Sequence, residues 1–97
     1  MGVDVRSPKP LDTHPGDEIV AWARQQLQIA RSILDNPGGG LLFATQTIGQ
    51  VRSGLHERDP MRWDAAVAAL AAAEDAGVRR EFAIARSKID EALAKLA

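Results

Sequence analysis

The chain has 97 residues, enough for one domain, and its content of 45% hydrophobic and 26% charged residues is typical of a globular fold rather than a disordered one. Its formal net charge of −1 provides no overall attraction to nucleic acid or anionic lipid. Because cysteine does not occur, disulfide bonds, thiolate metal sites and a cysteine nucleophile are excluded. No stretch approaches the roughly 20 apolar residues that a membrane span requires, and we expect a cytoplasmic protein.

The first 15 residues are rich in proline and charge and poor in apolar side chains. A segment of this composition buries too little surface to repay the entropy lost on ordering it. We therefore predict a disordered N-terminal arm over residues 1–15, followed by a helical bundle domain over residues 16–97.

Residues 16–34 have the periodicity of an amphipathic helix. Asp17 and Glu18 suit its first turn, where free amide groups and the helix dipole favour negative charge. Apolar residues between positions 19 and 34, including Ile29, cover about half of the helix circumference. An apolar face this wide predicts contact with two neighbouring elements. Gln26 falls within this face and needs a hydrogen-bond partner if it is buried.

The sequence Asn36–Gly40, with one proline and three glycines, predicts a turn after the first helix. The next segment, Leu41–His56, contains strand-favouring residues and an internal glycine. Its large apolar residues nevertheless repeat at spacings of three and four rather than in strict alternation. This spacing favours a helix, and a partly extended segment is the alternative that the sequence leaves open.

Two further helices complete a predicted all-α bundle of three to four helices. Asp59 and Pro60 predict the start of the third helix, residues 60–75, because aspartate caps helices and proline fits the first helical position. Apolar residues spaced by four and three predict a fourth helix over residues 78–96, and Gly77 either ends the third helix or lies within a longer one. Pairs of opposite charge at i,i+4 spacing predict a solvated outer surface: Asp75–Arg79, Arg86–Asp90 and Glu91–Lys95.

Side chains suited to catalysis or metal binding are few. The densest cluster is His56, Glu57 and Asp59, but neighbours in a connecting turn diverge, and no second histidine follows at i+4 as in helical zinc sites. Residues 38–40 are three glycines before a helix, yet no lysine follows them as in a phosphate-binding loop. We therefore expect no enzymatic activity, no metal and no cofactor.

Three large apolar residues, Leu42, Phe43 and Ile84, lie outside the main apolar stripes of their predicted helices. Such residues either complete a core or form an exposed surface for a partner. Chains near this size bury only about 60–65% of their unfolded surface, so pairing is a common way to bury more. The leading hypothesis is a non-enzymatic helical interaction module that binds a second copy, as a dimer, or another protein through these three residues.

Residues 70–90 give the alternative hypothesis, which is DNA binding. Ala73, Gly77 and Val78 fall where a helix-turn-helix has a small residue, a turn glycine and an apolar residue. Against this, Ala83 occupies a position where a large apolar residue is expected, and two acidic residues beside the turn oppose a DNA surface. An ordinary helical hairpin with a solvated basic side is therefore favoured. The basic residues that would contact DNA are Arg79, Arg80, Arg86 and Lys88.

Overall fold

A computed structural model, which describes residues 15–96, shows an all-α bundle of four helices. The helices are α1 (Pro15–Asp35), α2 (Leu41–Arg58), α3 (Asp64–Val78) and α4 (Phe82–Lys95). The all-α prediction is confirmed, and the ambiguous segment after the first turn is helical throughout. The predicted N-terminal arm lies outside the described residues, apart from Pro15, with which α1 begins.

Consecutive helices run antiparallel, and α4 returns to pack against α1. The four packed pairs are α1–α2, α2–α3, α3–α4 and α1–α4, so α2 and α4 lie diagonally opposite each other. Short connections permit this arrangement, since helices joined by a few residues become antiparallel neighbours. Residues 36–40 and 79–81 connect helices at one end of the bundle, and residues 59–63 do so at the other.

Half of the buried apolar residues in the described part of the chain are alanines, and alanine contacts are present on all four helices. Small side chains let neighbouring helix axes come close together, because interaxial distance depends on the residues at the contact. Each helix also contributes at least one large side chain that is fully buried. These are Leu27 and Leu34 of α1, Ile48, Val51 and Leu55 of α2, Leu70 of α3 and Ile89 of α4.

Glycine extends this close packing at two positions. A Cβ atom on Gly54 would lie 3.0 Å from the ring of Trp22, so α2 is pressed against the α1 indole at this level. A Cβ atom on Gly77 would lie 3.0 Å from the Thr45 side chain, which brings α3 equally close to α2. Gly54 and Gly77 both lower helix propensity, and both are packing positions. Gly54 lies at the contact of α1 with α2, and Gly77 lies at the contact of α2 with α3.

The predicted start of the third helix is wrong by four residues. Asp59 caps a separate turn, because its carboxylate accepts a hydrogen bond from the Arg62 amide at 3.2 Å. This turn does not continue into α3, which begins at Asp64 after Trp63. Trp63 has φ −102° and ψ 14°, departs from helical geometry, and is only 4% exposed. The break in the helix accompanies the burial of this indole in the core.

The predicted boundary between the third and fourth helices also needs correction. Gly77 lies inside α3, which continues to Val78, and α4 begins only at Phe82. Val78 was expected on the buried stripe of the fourth helix, but as the last residue of α3 it is 69% exposed. The three charged residues that follow it form the turn between the helices.

The buried strip of α1 is narrower than the sequence predicts. Ile29 was assigned to the apolar face, but it is 41% exposed. Gln26, within the same predicted face, is only half-buried, so its amide keeps access to water. The fully buried residues of the described part of this helix, Ala23, Leu27, Ala30 and Leu34, follow a single stripe at spacings of four, three and four.

Ion pairs join α1 to α4 and close the fourth side of the bundle. The Arg31 guanidinium donates two hydrogen bonds to the Asp90 carboxylate, at 2.7 and 3.0 Å. Arg86 pairs with Asp35 at 3.3 Å and donates to the Leu34 carbonyl oxygen at 3.2 Å. The predicted pairing of Arg86 with Asp90 along one helix is therefore replaced by pairing across two helices.

The remaining pairs lie along single helices or between α2 and α3. The predicted Asp75–Arg79 pair is present at 3.3 Å. Glu91, expected to pair with Lys95, instead pairs with Lys88 at 3.2 Å. Its partner lies one turn earlier because i,i+3 neighbours share a helix face as i,i+4 neighbours do.

The α1–α4 ion pairs predict a specific pH dependence of stability. The hydrogen bond from Arg31 lowers the pKa of the Asp90 carboxyl, with the charges of Arg31 and Arg86 acting in the same direction and partial desolvation opposing them. A carboxylate whose pKa is lowered by folding stabilises the fold above the ordinary carboxyl pKa of about 4, and this contribution is lost as pH falls through the lowered value.

We therefore expect the unfolding midpoint in denaturant to fall less for Asp90→Asn than for the wild-type chain between about pH 5 and pH 2. Glu91→Gln is the matched control, because Glu91 pairs only within α4, with Lys88. The control should follow the wild-type profile. Three superimposable profiles would show that Asp90 does not couple folding to pH.

Candidate interaction surface

Four large apolar side chains are exposed at one end of the bundle. Leu42 and Phe43 lie in the first turn of α2 and are 67% and 55% exposed. Val78 ends α3 and is 69% exposed, and Ile84, in the first turn of α4, is 48% exposed. We call the surface formed by these four residues the apolar end. It lies where the 36–40 connection and the 79–81 turn meet.

The structure places the three residues predicted to bind a partner at this end, on two helices. Leu42 and Phe43 are on α2 and Ile84 is on α4, which lie diagonally across the bundle. Val78, on the helix between them, was missed because its spacing matched the stripe of the fourth helix. The run of three charged residues directly after it is the sequence signal for a turn at this point, and a turn leaves Val78 at an exposed helix end.

A groove of about 420 Å³ opens between α2 and the end of α3 at the apolar end. Leu42 and Val78 line it together with the backbone of the glycine-rich connection. Thr45 contributes little polarity, because its hydroxyl donates to the carbonyl oxygens of its own helix at 3.0–3.1 Å. Among the described residues, Arg80 is the one charged side chain on the groove wall. The groove is therefore an apolar concavity with a single positive group at its rim.

The turn that presents Arg80 is a Schellman motif, the usual hydrogen-bonded end of an α-helix. The Glu81 amide donates to the Ala76 carbonyl oxygen at 2.9 Å, and the Arg80 amide donates to the Gly77 carbonyl oxygen at 3.0 Å. Arg80 occupies the position that glycine normally fills and has φ +63°. Left-handed backbone costs a residue with a Cβ atom about 1–2 kcal/mol. The arginine at the groove is therefore held in locally strained backbone.

The four basic residues of the DNA-binding alternative have different surroundings. Arg79 pairs with Asp75, Arg86 with Asp35 and Lys88 with Glu91. Arg79 and Arg80 lie in the turn, outside the helix that was expected to carry them. Within residues 15–96, the side chains of Arg80 and of its neighbour Glu81 make no ion pair or hydrogen bond, and both residues are exposed.

The cluster of His56, Glu57 and Asp59 lies at the opposite end of the bundle. His56 and Glu57 are exposed in the last turn of α2, and the Asp59 carboxylate is used by the turn that follows. Within the part of the chain that the structure describes, no three His, Cys, Asp or Glu side chains are grouped so as to hold a metal ion. Over the same residues, no helix is both long enough and apolar enough to span a membrane.

Comparisons of the chain with protein-family models, with curated proteins and with solved structures found no match.

The strained turn predicts a stabilising substitution. Arg80→Gly should raise the free energy of unfolding by about 1 kcal/mol, because glycine adopts positive φ without a Cβ clash. Arg79→Gly is the control, since Arg79 has an ordinary φ of −82° and should gain nothing. Denaturant titration followed by circular dichroism measures both. A loss of stability on Arg80→Gly would show that the side chain contributes more to the isolated fold than its backbone strain costs.

Proposed function

We propose that the protein is a non-enzymatic helical interaction module that self-associates through the apolar end. The observation that carries this proposal is that four large apolar side chains are exposed at one end of the bundle, where two of them, Leu42 and Val78, line a groove. An exposed apolar groove on a small protein is typical of an interaction site. Single exposed apolar residues elsewhere, such as Met61, need no such explanation.

Association at this surface is energetically reasonable. Burial of one aliphatic side chain contributes about 1.5–3 kcal/mol, and the apolar end offers several in each copy. That gain has to exceed the loss of translational and rotational freedom, which is estimated at 4–15 kcal/mol or more. Two copies contribute this gain from both sides of the contact, so burial at the apolar end can offset the lower part of that range.

DNA binding through residues 70–90 is the alternative proposal, and the charge distribution gives it less support. Arg79, Arg86 and Lys88 each have a carboxylate partner, which offsets the positive charge that phosphates would need. Arg86 in addition faces α1 rather than the solvent side of α4. Titration with random duplex DNA at low salt separates the two functions, since phosphate contacts give salt-dependent affinity.

Lysine substitution at the groove should weaken self-association. We expect Leu42→Lys to raise the dissociation constant at least about tenfold, because a charge would replace apolar surface at the centre of the contact. Met61→Lys is the matched control, since Met61 is 87% exposed in the connection at the opposite end of the bundle. Sedimentation equilibrium at tens of micromolar measures both variants beside the wild-type chain.

Two results would contradict the proposal. The first is a wild-type chain that stays monomeric at these concentrations. The second is an equal effect of the two lysine substitutions, which would place the contact away from the apolar end.

A further inference from the structure

Building on the proposed self-association, we infer that the occupant of the groove is a second copy of this chain, docked about a two-fold axis. Arg80 of each copy pairs with Glu81 of the other, and Ile84 of each copy enters the groove of the other. The inference names the partner and its orientation, neither of which follows from exposed apolar surface alone.

Charge complementarity is the main reason for choosing a second copy. Arg80 and Glu81 are consecutive, exposed and opposite in charge, yet within the described residues neither side chain makes an ion pair or hydrogen bond. A surface that carries both signs side by side becomes complementary to itself when a two-fold axis passes between them. A partner of uniform charge would satisfy one of these groups and repel the other.

The first turn of α4 is complementary to the groove in charge and in apolar surface. Glu81 occupies the N-cap position of α4 without a side-chain capping hydrogen bond, and Ile84 follows it by three residues, so the two side chains lie on the same side of the helix start. The groove presents the complementary pair, with apolar walls from Leu42 and Val78 and a positive group from Arg80. The first turn of α4 in the second copy thus places Glu81 opposite Arg80 and Ile84 opposite the apolar walls of the groove.

The two-fold arrangement also explains why the turn holds an arginine in strained backbone. The Schellman motif places Arg80 and Glu81 outside both helices, between the groove and α4. Glycine at this position would relax the backbone but would remove one of the two charges from the contact. Because both copies use the same surface, the contact closes on itself and produces a dimer rather than a filament.

Charge reversal tests this geometry in a way that loss of apolar contact does not. In Arg80→Glu, two carboxylates face each other in each reciprocal pair. In Glu81→Arg, two guanidinium groups do so. Both variants therefore repel a second copy of themselves. We expect each variant alone to dissociate at least about tenfold more readily than the wild-type chain. Mixed in equal amounts, the two variants should form a heterodimer of near wild-type stability, because both ion pairs are then restored.

The measurement is sedimentation equilibrium of each variant and of the mixture, with circular dichroism to establish that each variant is folded. Lys95→Glu is the control, since it changes the net charge as Arg80→Glu does but lies at the last residue of α4. It should leave the dimer unchanged. Increasing salt should weaken the wild-type dimer and the heterodimer alike, because exposed ion pairs are screened.

Each outcome has one interpretation. Recovery in the mixture supports the reciprocal pairing. Failure of the mixture to recover, or wild-type association of the single variants, overturns the two-fold arrangement while the effect of Leu42→Lys still supports association at the apolar end. A monomeric wild-type chain overturns the proposed function and this inference together.

Discussion

Close approach of the helices through alanine and glycine is the constraint on which the rest of the structure depends. Half of the buried apolar residues between positions 15 and 96 are alanines, and a methyl group at Gly54 or Gly77 would lie only 3.0 Å from a side chain of the neighbouring helix. Helices this close build a core from few large side chains. The bundle is therefore held by many small contacts along its length, and no single layer of bulky residues dominates it.

This constraint explains where the remaining large side chains lie. A narrow core has no space for every leucine, isoleucine and valine, and some of those in the terminal turns of helices extend beyond it. Leu42, Val78 and Ile84 are such terminal residues, and they lie at the same end of the bundle. The α1–α4 side, by contrast, is closed by the polar pairs of Arg31 with Asp90 and Arg86 with Asp35.

Helical periodicity predicted the fold class and three of the exposed apolar residues, because spacing along a helix is a local property of the sequence. Helix boundaries were less predictable. Asp59 and Pro60 have the residue types of a helix start, but burial of Trp63 separates their turn from α3. Val78 continues the apolar spacing of the fourth helix, but a Schellman turn, built around an arginine in place of glycine, interrupts that helix.

The interhelical pairs were not predictable from local spacing. Asp90 has an i−4 partner in Arg86, yet it pairs with Arg31, 59 residues away, because α4 packs against α1. The groove likewise depends on the proximity of the 36–40 connection to the end of α3, which only the tertiary fold provides. Sequence analysis therefore identified members of the candidate site, and the bundle topology supplied their arrangement at one end.

Amide hydrogen exchange at several protein concentrations tests most directly the claim that one chain completes the bundle and offers the apolar end for contact. At high dilution the buried turns of all four helices should remain protected. On concentration, added protection should be confined to residues 38–45 and 78–84. Loss of helix protection on dilution, or concentration-dependent protection centred on residues 59–63, would contradict the account.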